Sequence, residues 1–247
     1  NKPRLAVQHL DNILWEDAHY QTDYKDAIRC LSWGYLLYKY ENEPDRAIKY
    51  FERRLSVLDK DFESAYHLGE IYMQKEILDS AEVYYLKAVQ NDSTNIKYLK
   101  KLAMVKSTLN KKDESIVLLR RIVQLEPENP KFRNSFAIAL SMTNNIDEAL
   151  VNFKKAYQLD NSLLGALITI GDIYIYLQQY DSAYSYLTMA QKDNPEIVDI
   201  YPLLIKTQIA LDKFSEALTS WEQYQQLKPT APELDDLHKI IIEGLNK

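Results

Sequence analysis

Residues 62–95 read FESAYHLGEIYMQKEILDSAEVYYLKAVQNDSTN, and residues 164–197 read LGALITIGDIYIYLQQYDSAYSYLTMAQKDNPEI. Numbering each stretch from 1, positions 4, 7, 8 and 11 are Ala65, Leu68, Gly69 and Tyr72 in the first and Leu167, Ile170, Gly171 and Tyr174 in the second. Spacings of three and four put these residues on one helical stripe, and the missing side chain at position 8 lets a second helix come close. That second helix repeats a small residue at position 20 and a large apolar one at position 24: Ala81 with Tyr85, Ala149 with Phe153, Ala183 with Leu187, Ala217 with Trp221. Position 27 is small in Ala88, Ala156 and Ala190.

The same frame runs through 62–95, 96–129, 130–163, 164–197 and 198–231 without insertion or deletion. A 34-residue period means repeated helical hairpins, each touching only its neighbours. Aspartate marks position 18 in Asp79, Asp113, Asp147 and Asp181; Asp45 precedes them in register and Ser215 follows. At the start of the second helix this carboxylate is expected to be the N-cap, where it meets orphan N–H groups and the positive helix end. A residue that recurs in nearly every unit reads as structural, not as an acid–base catalyst. Pro127, Pro195 and Pro229 at position 32 stop the second helix.

Upstream, Ala47 and Phe51 stay in phase, but Gly34 falls one residue early. An extra residue is therefore expected in the turn Glu41–Pro44, giving a slightly irregular repeat over 27–61. Leu5–Tyr20 reads as an additional helix within an N-terminal cap, 1–26. Pro232–Leu245 reads as a terminal helix, within 232–247, whose Asp235, Asp236, His238 and Lys239 solvate the last open face.

Only 5 glycines and 8 prolines occur among 247 residues, and helix-forming types are plentiful, which points to an all-α chain. A net charge of −6 argues against nonspecific nucleic-acid binding and against attraction to anionic membranes. The charge is uneven, about −4 over 62–95 and about +4 over 96–129. One cysteine, Cys30, excludes an internal disulfide and a multi-cysteine metal site; Leu31 and Trp33 beside it suggest a buried thiol. The richest apolar stretch, Leu163–Leu177, is interrupted by Asp172 and too short to span a bilayer. The chain opens at Asn1, not Met, which fits a processed or excised segment.

No catalytic apparatus is visible. His9, His19, His67 and His238 lack metal-ligand spacing, and no phosphate-binding glycine loop, nucleophile elbow or metalloprotease helix occurs. Neither a cofactor nor a metal is implied. His67 reads as a packing or groove-edge residue. The sequon Asn91-Asp92-Ser93 matters only on a eukaryotic secretory route. Lys97, Lys100, Lys101, Lys106, Lys111 and Lys112 lie within one repeat with Tyr98 as the sole interleaved aromatic, which reads as a solvated face and not a phosphate site. Of the nineteen tyrosines, Tyr72, Tyr85 and Tyr174 occupy core positions, while Tyr35, Tyr38, Tyr66 and Tyr176 project from first helices.

The small residue at position 8, tyrosine or its equivalent at 11, alanine at 20, aromatic at 24, alanine at 27 and proline at 32 together resemble the tetratricopeptide repeat family, over residues 62–231. Departures are Lys106 and Gln208 at position 11, Ser115 at 20, and Ile122 and Tyr224 at 27, all of which bear on local packing. The resemblance implies a right-handed superhelical solenoid of antiparallel helix pairs, about six repeats, with positions 2, 5, 9, 12 and 13 of the first helices pointing into a concave groove. Here these positions supply Glu63, Tyr66, Glu70 and Met73, then Lys97, Lys100 and Met104, then Asn134, Ile138 and Met142, then Ile168, Asp172, Ile175 and Tyr176, and finally Lys206. Apolar side chains among them await a partner, since merely solvated positions would be charged. A carboxylate clamp for acidic chaperone tails is not supported, because Met104, Ser135, Gly165 and Thr169 fill the places that follow Lys100.

The expected function is a non-enzymatic scaffold or adaptor that binds a protein or peptide in the groove, or assembles a complex. Alternatives are a regulatory or targeting module of a larger, possibly enzymatic protein, and a self-associating array. Richness in lysine, isoleucine, asparagine and tyrosine fits an A+T-rich bacterial genome, and a soluble protein of the cytoplasm or of the bacterial periplasm and envelope.

Overall fold

The computed structural model describes residues 24–58, 60–229 and 234–246; the helix expected over Leu5–Tyr20 lies outside them, as does Pro232. Among the described residues there are helices and no strand. The chain divides after Leu125 into two compact units. The first holds α1 (Tyr24–Leu36), α2 (Pro44–Val57), α3 (Phe62–Gln74), α4 (Leu78–Asn91), α5 (Ile96–Thr108) and α6 (Lys112–Leu125). The second holds α7 (Pro130–Ser141), α8 (Ile146–Leu159), α9 (Leu164–Tyr176), α10 (Tyr180–Asp193), α11 (Ile200–Ala210), α12 (Phe214–Leu227) and α13 (Asp235–Leu245). Within each unit the helices pair as hairpins, α1 with α2, α3 with α4 and so on, and each hairpin packs on the next.

One backbone event recurs in every hairpin turn. Asn42, Glu76, Asn110, Asn144, Gln178 and Asp212 all have φ between 53° and 63° and stand 34 residues apart. In the α3–α4 turn the Glu76 N–H donates to Met73 O at 3.0 Å and the Ile77 N–H donates to Tyr72 O at 2.9 Å. This is the Schellman pair that satisfies two orphan carbonyls at a helix end. The turns at Asn110, Asn144, Gln178 and Asp212 repeat both bonds. Asparagine and aspartate tolerate the left-handed region better than most side chains, which suits four of the six positions.

The extra residue of the first hairpin is not in the turn. α1 runs directly into a π-helical turn, Leu37–Glu41, and the N–H groups of Asn42 and Glu43 both donate to Leu37 O. Widening the last turn by one residue keeps Gly34 against Phe51 while Asn42 stays in the 34-residue register.

The recurring aspartate also differs from expectation. The N-cap positions belong to Glu43, Ile77, Asn145, Gln179 and Lys213, none of which makes a side-chain cap bond. Asp45, Asp79, Asp113, Asp147 and Asp181 sit in the second helical position, because the helix restarts two residues after the left-handed one. There their charge meets the positive end of the dipole without capping it. Side-chain caps occur on first helices instead: Asp61 accepts from Ser64 N at 3.4 Å, and Asn129 accepts from Lys131 N and Phe132 N at 3.1 and 3.3 Å.

Hairpin closure rests on a close approach. A Cβ added at Gly69 would fall 2.6 Å from the Tyr85 ring, and one at Gly171 would fall 2.6 Å from the Leu187 side chain. Departures from the repeat pattern are absorbed locally. Lys106 is buried and its ammonium donates to Glu82 at 2.7 Å and Glu114 at 2.5 Å, with Lys111 donating to the other Glu82 oxygen at 2.6 Å. The Ser115 hydroxyl donates to Ala103 O at 2.8 Å, and Ile122 and Tyr224 are fully buried. At the far end of the second unit, Leu234 and Ile241 join Tyr201, Ile205, Ala217 and Tyr224 in one cluster. His238 does not solvate that end: it stacks on Trp221 with centroids 3.9 Å apart.

α9 offers an internal test of this packing. Gly165 has open space where its Cβ would stand and is the second residue of α9, so Gly165→Ala should raise stability by up to about 0.5 kcal/mol, the low end of the interior helix-propensity gain. Gly171→Ala should lower it by about 1–3 kcal/mol, because overpacking outweighs the same propensity gain. Urea unfolding of both variants checks the opposite signs.

Candidate partner-binding face

In the first unit the face is built on α3 and α5. Glu63, Lys97, Lys100 and Met104 are exposed, whereas Glu70 and Met73 are half-buried. Tyr66, read from the sequence as projecting, is buried and tilted against Tyr85 and Tyr98 at 5.8 and 5.1 Å between centroids. Lys97 covers its outer edge, with Nζ 3.9 Å from the ring centroid.

Glu70 is the electrostatic centre of this face. The Tyr85 hydroxyl donates to Glu70 Oε1 at 2.5 Å, and Lys101 Nζ lies 2.8 Å from the same oxygen. Burial alone would raise its pKa, but the bonds from Lys101 and Tyr85 bring it below the usual carboxylate value. Burial and the Glu70 charge push the Tyr66 and Tyr85 hydroxyls well above theirs. His67, beside this group, stacks on Phe51 at 5.3 Å and meets Tyr35 and Tyr66 edge-on; its Nδ1 has no partner. Burial, aided by Lys97, lowers its pKa to about 4. Of the six lysines in the basic run, Lys101, Lys106 and Lys111 are paired with carboxylates.

In the second unit the face lies on α7, α9 and α11. Ile138, Met142 and Tyr176 are 43%, 58% and 73% exposed, and Asp172 and Lys206 are exposed beside them. Ile168 and Ile175 are half-buried against the Leu167–Leu204 cluster. Asn134 is half-buried, and its Oδ1 has no hydrogen-bond partner. The face thus presents apolar and polar groups side by side. Among the described residues no group of three or more histidine, cysteine or acidic side chains is placed to hold a metal, and no helix is long and apolar enough to cross a membrane.

Sequence reasoning missed Lys101 and Tyr85 as parts of the Glu70 group. Their only signal was a carboxylate at a half-buried position, which requires a donor from a neighbouring helix.

Stacked antiparallel helix pairs with a 34-residue turn period define a helical-repeat protein of the tetratricopeptide class. Residues 31–96 match the tetratricopeptide repeat family model. No curated protein matches the chain. Among solved structures it is similar to MamA, at 17% identity over 70% of this chain and 94% of that one, with a TM-score of 0.64. It is also similar to YrrB, described as a TPR protein with an unusual peptide-binding site, at 24% identity over 72% and 91%, TM-score 0.63. A third is pilF of Pseudomonas aeruginosa, at 16% identity over 87% and 97%, TM-score 0.60. At these identities the likeness is one of fold. Residues 31–96 thus carry the tetratricopeptide repeat, and the chain as a whole shares the fold of tetratricopeptide-repeat proteins.

Two pH windows should separate on this face. His67 stays neutral in the folded state down to about 4, while the unfolded chain takes its proton near 6.5, so stability falls as pH drops between these values. Glu70 is the opposite type of group: its stabilisation is present above the unfolded value of 4.5 and is lost as pH falls through the lower folded one. Thermal melts across pH should therefore flatten between 6.5 and 4 in His67→Phe, and below 4.5 in Glu70→Gln.

Proposed function

We propose that the chain is a non-enzymatic scaffold whose first-helix faces bind a segment of a partner protein. The observation that carries this is the exposure of Met104, Ile138, Met142 and Tyr176 at positions that point away from the hairpin cores. Each such methionine or isoleucine is already about half covered, so its burial by a partner would contribute about 1 kcal/mol. Charged neighbours would set the register of a segment bound on either unit, Glu63, Lys97 and Lys100 on the first and Asp172 and Lys206 on the second, where Asn134 would add a hydrogen-bonding amide. The fold likeness to YrrB supports a peptide as the kind of ligand, and the reading divides 27–231 into six repeats.

The test is affinity capture from the organism of origin with wild type against Ile138→Asp/Met142→Asp. Both positions are exposed, so the melting temperature should change by less than about 2 °C. Proteins retained by wild type should be lost from the variant. An unchanged set of captured proteins would remove the first-helix face from the account.

A further inference from the structure

A cleft of about 500 Å³ opens on the second-helix side of the second unit. Leu167 and Ile170 of α9 line it, with Lys154 and Tyr157 of α8 and Tyr186 and Met189 of α10. The volume lies in the range that binds drug-sized groups, and the mixture is apolar side chains with a few polar ones. Ser182 and Ser185 keep one side low, so the cleft is open to side chains of a segment lying across it.

Its cation has no anion. Lys154 Nζ donates to the Tyr174 hydroxyl at 2.8 Å and lies 5.3 and 5.5 Å from the centroids of the Tyr174 and Tyr186 rings, which stack on each other. Among the described residues no carboxylate forms an ion pair with it, whereas Lys101, Lys106 and Lys213 each have one. In the first unit the charge at this place is reversed. There Tyr72 and Tyr84 stack in the same repeat positions, and the place of Lys154 is taken by Glu52, which accepts from the Tyr84 hydroxyl at 3.2 Å. The one acidic group bonded to a residue of the cleft, Asp193, is held by the Tyr157 hydroxyl at 3.1 Å.

We infer that this cleft receives an acidic side chain flanked by a bulky apolar one, in an extended segment of a partner protein. The carboxylate seats on the Lys154 ammonium at the edge of the stacked tyrosine pair, and the apolar neighbour covers Met189, which is exposed at the rim above the buried Leu167 and Ile170. This site is separate from the first-helix face and does not depend on it.

The four methionines make the test direct. Met189 borders the cleft, whereas Met73, Met104 and Met142 lie on first helices or their ends. Protein labelled with ¹³C at the methionine methyls is titrated with a heptapeptide carrying aspartate between leucine and phenylalanine, and with the same peptide carrying asparagine. The expected result is a saturable shift of the Met189 methyl alone, with the asparagine peptide about tenfold weaker. Lys154→Gln should reduce the aspartate peptide to the asparagine level and Lys154→Arg should not; Ser185→Trp should block both peptides by filling the cleft. Equal affinity of the two peptides, or no shift at Met189, overturns the inference. A shift confined to Met104 and Met142 also overturns it, and speaks for the first-helix face instead.

Discussion

Everything in the two units hangs on a left-handed residue at the end of each first helix. With φ near +60°, the chain reverses within two residues, the Schellman bonds satisfy the exposed carbonyls, and the second helix starts at once. In two hairpins the helices come close enough that a side chain in place of Gly69 or Gly171 would collide with Tyr85 or Leu187, while Ala103, Ala137 and Ile205 fill the same repeat position in three others. The π turn at Leu37–Glu41 illustrates the same constraint: the first hairpin accommodates its additional residue in the helix, and the reversal at Asn42 is left unchanged.

Between hairpins the contacts are more varied. In the first unit Glu52 accepts from Tyr84, Asp45 pairs with Lys75, and Glu82 accepts from both Lys106 and Lys111. In the second unit Tyr157 donates to Asp193, Tyr184 to Glu216, and Gln191 to Gln223 at 3.0 Å. Exposed bonds of this kind add little each. The buried Lys106 group differs, since Lys106 itself replaces the apolar residue usual at that position and its ammonium must be satisfied by Glu82 and Glu114.

The hairpin fold was legible because its signals are local and repeated: small residues at Ala81, Ala149 and Ala183, the glycines at position 8, and the prolines after second helices. The role of the recurring aspartate was misread by two residues. Asp79 carries the strongest capping chemistry near the turn, yet the backbone at Glu76 decides where the helix restarts, and glutamate gives no hint of a positive φ. Tyr66 shows a second limit. Its repeat position points outward, but Tyr85 and Tyr98 from two other helices close over it, a contact that only the packing of neighbouring hairpins reveals. Met104, Ile138, Met142 and Tyr176 were readable as exposed because no tertiary neighbour intervenes.

The functional reading follows from that last group. The hairpins leave apolar side chains of first helices in solvent, and a protein partner is the chemistry that would cover them. The most direct measurement is site-specific photo-crosslinking in the cell of origin, with a photoreactive amino acid at Met142 or, as control, at the equally exposed Val117 of α6. The account predicts a discrete crosslinked protein from position 142 and none from position 117; crosslinks of equal yield from both, or from 117 alone, would contradict it.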